Sequence, residues 1–496
     1  MDLVVLAKFV PDVERIPPDA WDRERGTLIR SRLDMAFNPL DQVALRMALD
    51  VRRAQPGSQI VVLSMAPPGA ITMLREAIAY GADGAVLLTD RRFAGADTIA
   101  TAYALSWTVR QMARAGIIGP DFAVFTGMQS PDGDTAQVPA QVASFLDAPL
   151  YPYVRDLTAE ADRLELTCLN PVGFQRITTG RRPFVATATQ LYPDLPFYVS
   201  LAAMERANTA EVTVWGRDDV ELDGERIGLD GSRTRVIDIF EPERKHEAGE
   251  TVEADDEAFA QRAGELLREW RASFGRAEGV GPADDAPAAA NASSESYYAG
   301  DCVAVCELSG ARLAAVSGEI VSACAEIARA LGVEPIAIVP GGVSSDVADE
   351  LARYGARRAW FVEELAADVF RVRSRALAVV ELIRALRPQV VVAPATLTGR
   401  VLAPYVSARL DCGLTADCSG LRVADFERRG ETYPNVLFQT RPALGGNIMA
   451  TIVSIYEDPD SGRPQMATVR PGALPVHERP APECEALAFR PTAPAE

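Results

Sequence analysis

The stretch IVVLSMAPPGAITMLREAIAYGADGAVLL, residues 60–88, contains one complete strand–helix–strand unit. The apolar run from Ile60 to Met65 predicts a buried strand that ends at Pro67-Pro68-Gly69. Residues 71–80 predict a helix, and the next apolar run, Gly84 to Leu88, predicts a second strand. A helix between two apolar strands favours parallel pairing, so the sequence predicts a mostly parallel, doubly wound sheet.

The same alternation extends in both directions from this unit. Leu3 to Val10 predicts a first strand, and Pro39 to Arg53 predicts a helix with Asn38 at the N-cap. After residue 300 the pattern starts again, and Leu351 to Ala356 has the register of Leu74 to Ala82. We therefore expect an α/β fold of two similar doubly wound domains related by pseudo-two-fold symmetry.

This pattern predicts four segments along the chain. Residues 1–250 form the first domain and residues 301–475 the second. Residues 251–300 combine a helix near residues 254–274 with a linker rich in alanine, proline and serine. Residues 476–496 are expected to form a tail.

The composition excludes several classes of function. The formal charge of -19 argues against a nucleic-acid partner, because surfaces that bind nucleic acids are usually basic. No apolar run approaches the roughly 20 residues of a membrane-spanning helix, and the N-terminus predicts a strand rather than a signal peptide. Seven cysteines without CxxC spacing and two histidines predict neither a metal site nor histidine-based catalysis. We expect a cytoplasmic protein with no integral membrane segment.

The loop SPDGDTAQV, residues 130–138, connects a predicted strand to a predicted helix. Open α/β sheets bind ligands at such strand ends, where Gly133 permits a positive φ and Asp134 or Thr135 can cap the helix. The residues alone leave three alternatives: a solvated turn, a carboxylate site for a cation or for catalysis, and a nucleotide cradle. Because residues 122–154 contain no lysine or arginine, positive charge for a phosphate is expected from the helix terminus or the other domain.

Several motifs, in the right order, resemble those of electron transfer flavoproteins. The first domain is similar to the beta subunit at Lys8 to Asp12, Asn38 to Asp41, residues 74–82 and DGDTAQV at residues 132–138. The second domain is similar to the N-terminal domain of the alpha subunit at residues 393–400, TRPALGGN at residues 440–447 and residues 465–472. The resemblance covers about residues 1–245 and 301–475, and it implies an adenine-nucleotide α-hydrolase-like fold for both domains.

The resemblance also implies a cofactor. In this family the beta subunit binds AMP in the ordinary electron carriers and FAD in the electron-bifurcating ones, which also receive hydride from NADH. The form DGDTAQV is more similar to the bifurcating type, so FAD is expected, AMP is the alternative and NADH is a candidate electron donor. The implied cofactor-binding positions are Leu6, Asn38, Pro39, Leu40, Asp41, Met65, Gly127, Met128, Gln129, Asp132, Gly133, Asp134, Thr135, Ala136, Gln137, Val138 and Arg441.

Some of these residues also have structural interpretations. Asn38 followed by proline is a sound helix start without any ligand. Arg441, implied to approach the flavin ring, is also compatible with a surface ion pair, and Arg400 with the first turn of a helix.

No motif of the C-terminal domain in which alpha subunits hold their shuttling FAD is recognised after Gly472, so that flavin is not expected in this chain. The resemblance therefore implies an electron-transfer core without a catalytic residue of its own. Its expected partners are a flavin-dependent dehydrogenase or other oxidoreductase, and a separate FAD-domain protein. The alternative is an AMP-binding or nucleotide-sensing scaffold without redox activity.

Overall fold

The computed structural model describes most of the 496-residue chain. The described residues are 1–12, 21–22, 27–28, 33–160, 163–180, 182–193, 197–241, 256–274, 296–363, 372–443, 446, 448–478 and 483–492.

The part of the chain before residue 275 contains fourteen described strands and seven described helices. The strands are β1 (Asp2–Leu6), β2 (Phe9–Pro11), β3 (Trp21–Asp22), β4 (Thr27–Leu28), β5 (Met35–Phe37), β6 (Ile60–Met65), β7 (Gly84–Leu88), β8 (Phe122–Gly127), β9 (Leu150–Glu160), β10 (Arg163–Asn170), β11 (Gly173–Thr179), β12 (Val185–Ala188), β13 (Thr213–Trp215) and β14 (Arg235–Phe240). The helices are α1 (Pro39–Ala54), α2 (Ile71–Tyr80), α3 (Thr98–Arg114), α4 (Val138–Leu146), α5 (Leu201–Thr209), α6 (Gly228–Gly231) and α7 (Asp256–Phe274).

The part after residue 295 contains twelve described strands and four described helices. The strands are β15 (Cys302–Val305), β16 (Leu308–Ser309), β17 (Arg312–Leu313), β18 (Pro335–Pro340), β19 (Arg358–Val362), β20 (Val390–Pro394), β21 (Leu414–Cys418), β22 (Gly420–Arg428), β23 (Glu431–Ala443), β24 (Ile448–Val453), β25 (Gln465–Val469) and β26 (Glu485–Phe489). The helices are α8 (Ala315–Leu331), α9 (Ser345–Arg353), α10 (Val372–Leu386) and α11 (Gly399–Leu410).

Two large sheets organise these elements. The first has the strand order β11-β10-β9-β12-β8-β1-β6-β7-β13, in which the seven strands from β9 to β13 pair in parallel and β10 and β11 add an antiparallel hairpin. The second has the order β21-β25-β20-β15-β18-β19-β26 and is parallel throughout. Counted along the chain, the seven parallel strands follow the same order in both sheets. The predicted α/β fold with two similar doubly wound units is confirmed.

The central strand β1 separates two cores, because successive side chains of a strand point to opposite faces of a sheet. Leu3 and Val5 pack on the face that α1 and α2 cover, and Val4 and Leu6 pack on the opposite face with α3 and α4. The second of these cores continues into the other half of the molecule through Tyr405 of α11. The two halves therefore share one hydrophobic core.

Helices α4 and α11 form the joint between the halves. Ser144 of α4 donates a hydrogen bond to the carbonyl of Tyr405 over 3.0 Å, and both groups are buried. Each helix ends in an aspartate with a left-handed backbone, Asp147 (φ 55°) and Asp411 (φ 52°). These contacts agree with the pseudo-two-fold relation that the sequence predicts.

The two terminal aspartates bind arginines of the opposite half. Asp147 accepts hydrogen bonds from Arg373 and Arg409 of the second half. Asp411 accepts from Arg226 (3.2 Å) and Arg233 (2.9 Å) of the first half and from Arg463 (2.9 Å) of its own half. Aspartate–arginine pairs therefore connect the two halves at the C-terminal ends of both α4 and α11.

Two strands lie where the predicted segments do not place them. β14 belongs to residues 1–250 but pairs with β24, in the four-stranded sheet β14-β24-β23-β22 of the second half. β26 belongs to the predicted tail but pairs in parallel with β19 at the edge of the second sheet. Most of the predicted linker, residues 275–295, lies outside the described residues. The domain limits themselves stay predictions.

The described part of the chain offers neither a membrane-spanning helix nor a cluster of metal ligands. None of its helices combines the length and the apolar character that crossing a membrane requires. In the same part of the chain, no group of three or more histidine, cysteine or acidic side chains has an arrangement that could hold a metal ion. All seven cysteines are free thiols.

The Asp411 cluster gives a test of the joint. Asp411→Asn keeps a residue type that tolerates the left-handed conformation but removes the charge that three arginines share. Because Asp411 is 27% exposed, we expect a loss of about 1–2 kcal/mol, or about 2–8 °C in the thermal midpoint. Circular dichroism measures the midpoint, and Asp349→Asn, at an exposed position of α9, is the control. Equal midpoints for the two variants would contradict this assignment.

Candidate functional site

The predicted cofactor residues gather at one edge of the first sheet. From β1 the chain proceeds to β6 and β7 on one side and then returns to β8 on the other side, so the strand order reverses between β1 and β8. Open α/β sheets bind ligands outside the carboxyl ends of strands at such a reversal. Leu6, Met65 and Gly127 are the last residues of β1, β6 and β8, and Asn38 stands at the start of α1 beside them. Their role as cofactor ligands stays a prediction.

Asp41 holds the reversal point together. Its carboxylate accepts the backbone N–H of Lys8 after β1 and the backbone N–H of Gly127 at the end of β8, each over 2.8 Å. The side chain is buried. A Cβ atom on Gly127 would lie 2.6 Å from the Asp41 carboxylate and 2.8 Å from the carbonyl carbon of Leu40. Glycine is therefore required where α1 approaches the strand.

Burial raises the pKa of the Asp41 carboxyl to about 6, although the Asn38 side chain, the two backbone N–H donors and the charge of Lys8 oppose the shift. The cause is loss of hydration around the charged form. Near neutral pH the ionised carboxylate still predominates, so the two N–H groups keep a charged acceptor.

Asn38 stabilises the loop after β8 rather than capping its own helix. It occupies the predicted N-cap position but makes no side-chain capping bond, and its Nδ2 donates to the carbonyl of Gln129 over 3.0 Å. Asn38 Oδ1 and Gln129 Oε1 are both buried acceptors without a hydrogen-bond donor. Both acceptors lie beside the predicted cofactor site, where a donor from a ligand would satisfy them.

Lys8 supplies charge that the sequence analysis missed. Its Nζ lies 2.7 Å from Asp132 Oδ1 and 3.1 Å from Ser130 Oγ, inside the loop. Positive charge was expected only from the helix terminus or from the other half, so that expectation was incomplete. The position of Lys8 in the sequence could have predicted this contact. Lys8 follows the first strand closely, and residues there lie at the carboxyl edge of a parallel sheet.

The loop itself contains two left-handed residues that are not glycine. Asp134 has φ 47° and Ala136 has φ 54°, and the Asp134 N–H donates to the carbonyl of Ser130 over 2.9 Å. The prediction that Asp134 or Thr135 caps α4 was wrong. Gln137 holds the N-cap position, without a side-chain capping bond, because its side chain is used elsewhere.

The side chain of Gln137 crosses to the second half. Its Nε2 donates to the carbonyl of Leu414 over 2.9 Å, and its Oε1 accepts from the hydroxyl of Thr98. Gln137 is 2% exposed, so these bonds lie in the shared core.

Arg441 of β23 contacts the same loop from the second half. Its two terminal nitrogens donate to the carbonyls of Gly133 and Asp134, each over 3.0 Å, and the side chain is buried. The surface ion pair considered for Arg441 is therefore wrong. Leu444, Gly445 and Asn447 of the same sequence motif lie outside the described residues.

Two more arginines lie near the contact between Arg441 and the loop. Asp417, 3% exposed, forms ion pairs with Arg400 of α11 over 3.1 Å and with Arg470 over 2.5 Å. The pKa of the Asp417 carboxyl is lowered: burial alone would raise it, but the neighbouring arginines lower it by more. Burial raises the pKa of Asp134, whose carboxyl lies within the field of the same arginines. Three arginines and two aspartates leave one positive charge in excess when all are ionised.

Comparison with known proteins supports what this geometry indicates. The family model "Electron transfer flavoprotein domain" matches residues 25–220 and 303–490. The chain belongs to the electron transfer flavoprotein family. Its two matched ranges correspond to the two halves that share one strand order.

Curated relatives of this electron transfer flavoprotein chain carry three kinds of name. The beta subunit of Thermoanaerobacterium thermosaccharolyticum electron transfer flavoprotein is 38% identical over 268 residues, which is 54% of this chain and 98% of the relative. The caffeyl-CoA reductase-Etf complex subunit CarD of Acetobacterium woodii is 36% identical over 245 residues, 49% of this chain and 89% of the relative. Protein FixA of Azorhizobium caulinodans is 37% identical over 266 residues, 52% and 91% of the two chains.

Gly127→Ala tests the close approach of α1 to β8 in this flavoprotein-family chain. Because the new Cβ would meet backbone and carboxylate atoms of α1, we expect a loss of stability of about 1–3 kcal/mol. Gly57→Ala is a matched control, since a Cβ there has no heavy atom within 4 Å and the residue has no positive φ. Thermal unfolding of both variants without added ligand measures the difference. A Gly127→Ala midpoint equal to that of the control would show that α1 has room to move.

The Asp41 carboxyl gives a pH-dependent test. Its folded-state pKa of about 6 exceeds the ordinary value of 3.8, so the folded state binds this proton more tightly than the unfolded chain. The contribution of Asp41 to stability is therefore full below about pH 4 and is lost as the pH rises through 6. The stability of the wild type relative to Asp41→Asn should fall by about 3 kcal/mol across this range. Unfolding curves that keep a constant separation at every pH would refute the assignment.

Proposed function

We propose that this chain is an electron-transfer flavoprotein core that binds FAD at the carboxyl edge of the first sheet. The observation that carries the proposal is the loop of residues 128–137, which lies at the strand reversal and has unsatisfied buried acceptors beside it. Family membership supports the electron-transfer role, and the DGDTAQV sequence supports FAD over AMP.

The residues present fit an adenine dinucleotide. Asn38 Oδ1 and Gln129 Oε1 can accept hydrogen bonds from an amine or hydroxyl of the ligand, which would satisfy both buried acceptors. Lys8 lies beside Gly133, where it can contribute positive charge at a phosphate together with the N-terminus of α4. The charge of Lys8 and the dipole of α4 both suit a pyrophosphate.

Asp134 is assigned to a ribose or ribityl hydroxyl. Its carboxylate is half-buried, and among the described residues it makes no side-chain hydrogen bond, whereas Asp132 is already bound to Lys8 and Ser130. An ionised acceptor of this kind would strengthen a hydroxyl hydrogen bond.

FAD supplies the capacity to accept and release electrons singly or in pairs. The arginines of the second half, Arg400, Arg441 and Arg470, contribute excess positive charge beside the loop, which would stabilise an anionic reduced ring. No side chain is assigned a chemical step. NADH is the proposed donor, supported only by similarity to the bifurcating type.

Exchange of electrons with other proteins completes the proposal. The proposed partners are a flavin-dependent dehydrogenase or other oxidoreductase, and a separate protein that carries the shuttling FAD domain. The formal charge of -19 favours a partner with a basic docking face and an association rate that falls with salt. The cytoplasm is the proposed compartment, supported by seven free thiols.

The spectrum of the purified protein tests the cofactor. We expect a yellow protein with about one FAD per chain, identified by mass spectrometry after release, and bleaching of the flavin bands by NADH. Colourless protein that ignores added FAD but retains AMP would replace the proposal with the nucleotide-binding scaffold. FAD that is bound but not reduced by NADH would remove only the proposed donor.

Asp134→Asn tests the assigned hydroxyl contact. Asparagine tolerates the left-handed backbone of position 134, so the change removes charge without adding backbone strain. Loss of a charge-assisted hydrogen bond should weaken FAD binding about ten- to a hundredfold, measured by fluorescence quenching of the flavin. Asp349→Asn on the surface of α9 should bind FAD like the wild type. Unchanged affinity in Asp134→Asn would return this part of the loop to the solvated-turn interpretation.

A further inference from the structure

The loop of residues 128–137 is hydrogen-bonded to the second half at two places. Arg441 binds the carbonyls of Gly133 and Asp134, and Gln137 donates to the carbonyl of Leu414. These bonds join residues that are 277 to 308 positions apart in the chain. We propose that the second half sets the conformation of this loop and thereby the nucleotide affinity of the first half, an inference that rests on the proposed function.

The loop conformation needs external support. Asp134 and Ala136 both have positive φ, a region that costs free energy for residues with a Cβ, and alanine has no polar side chain to offset that cost. Inside the loop, the Asp134 N–H bond to the Ser130 carbonyl and the Lys8 contacts with Ser130 and Asp132 are present. The Arg441 bonds to the carbonyls of Gly133 and Asp134 and the Gln137 bond to Leu414 add constraints on both sides of residue 136.

Arg441 determines which way the peptide groups face. In a trans peptide the N–H points away from the preceding carbonyl. Because the Asp134 carbonyl points to Arg441, the Thr135 N–H points to the opposite side, and it has no acceptor among the described residues. N–H groups beside residues of alternating backbone handedness form concavities that bind anions. Arg441 therefore acts as a positioning residue that presents a donor without needing to touch the nucleotide.

The guanidinium of Arg441 suits this task because it is held in place. The side chain is 5% exposed, and its two terminal nitrogens bind two consecutive carbonyls in a planar fork. Lysine keeps the positive charge, but its single nitrogen lacks the planar fork that spans both carbonyls, so it reproduces the contact only in part. A partial rescue by Arg441→Lys is therefore a specific expectation of the clamp.

The experiment compares Arg441→Met, Arg441→Lys and the control Arg422→Met in the full chain. Arg422 lies on the neighbouring strand β22, exposed and over the ring of Phe438, so its replacement removes an arginine without touching the loop. The first readout is hydrogen exchange of a peptide covering residues 128–140 in nucleotide-free protein. The second is the affinity for AMP by calorimetry, with FAD as a second probe.

Arg441→Met should accelerate exchange in the loop and weaken AMP binding, each by about tenfold or more, and Arg441→Lys should fall between it and the wild type. Arg422→Met should match the wild type in both readouts. If Arg441→Met does not fold, Gln137→Met removes the other contact and is expected to show the same two effects.

Unchanged exchange in Arg441→Met and Gln137→Met would overturn the proposal. Faster exchange with unchanged AMP and FAD affinity would overturn the coupling to the nucleotide. A wild-type protein that binds neither AMP nor FAD would instead refute the proposed function, and the exchange data alone would then decide whether the second half holds the loop.

Discussion

The carboxylate of Asp41 is the contact on which the arrangement of the site depends. It binds the backbone N–H groups that follow β1 and end β8, and so fixes the first turn of α1 at the point where the strand order reverses. Leaving either N–H without an acceptor in this buried place would cost about 1–3 kcal/mol. The same geometry requires glycine at position 127, because the helix backbone approaches too closely for a Cβ atom. Packing and hydrogen bonding therefore demand one particular pair of residues.

The second half repeats this arrangement with different chemistry. Ser317 of α8 accepts the backbone N–H of Glu307 over 2.8 Å, as Asp41 accepts that of Lys8. The last residue of β20 is Pro394, which has no N–H, so a single hydroxyl oxygen suffices where the first half needs two carboxylate oxygens. The charge is also reversed, because Glu307 stands where the first half has Lys8, and its carboxylate accepts from Thr396 over 2.6 Å. The two halves therefore share a fold but carry opposite charge at this corresponding position.

The sequence predicts the local part of this structure well. The unit at residues 60–88 forms β6, α2 and β7 as expected, because apolar strands and a glycine stop depend on neighbouring residues only. The predicted site residues of the first half converge because their strands are parallel and adjacent. The contact between Lys8 and Asp132 and the clamp of Arg441 were not predictable from spacing, since each joins residues more than 120 positions apart. The pairing of β14 with the second half and of β26 with β19 was not predicted either, because the partner of a single strand leaves no periodic signal in the sequence.

Joining both halves in one polypeptide changes what the clamp must supply. Arg441 and Gly133 meet across the joint, and the covalent connection keeps their local concentration high even if the interface opens briefly. The paired arginines at Asp147 and Asp411 then need only to orient the halves, which matches their partial exposure and modest expected strength. The contacts of Arg441 with the loop carbonyls and of Gln137 with Leu414 are buried instead, at the carboxyl edge of the first sheet. Under the proposed clamp, a change at the exposed rim of the joint would alter stability while the loop keeps its shape.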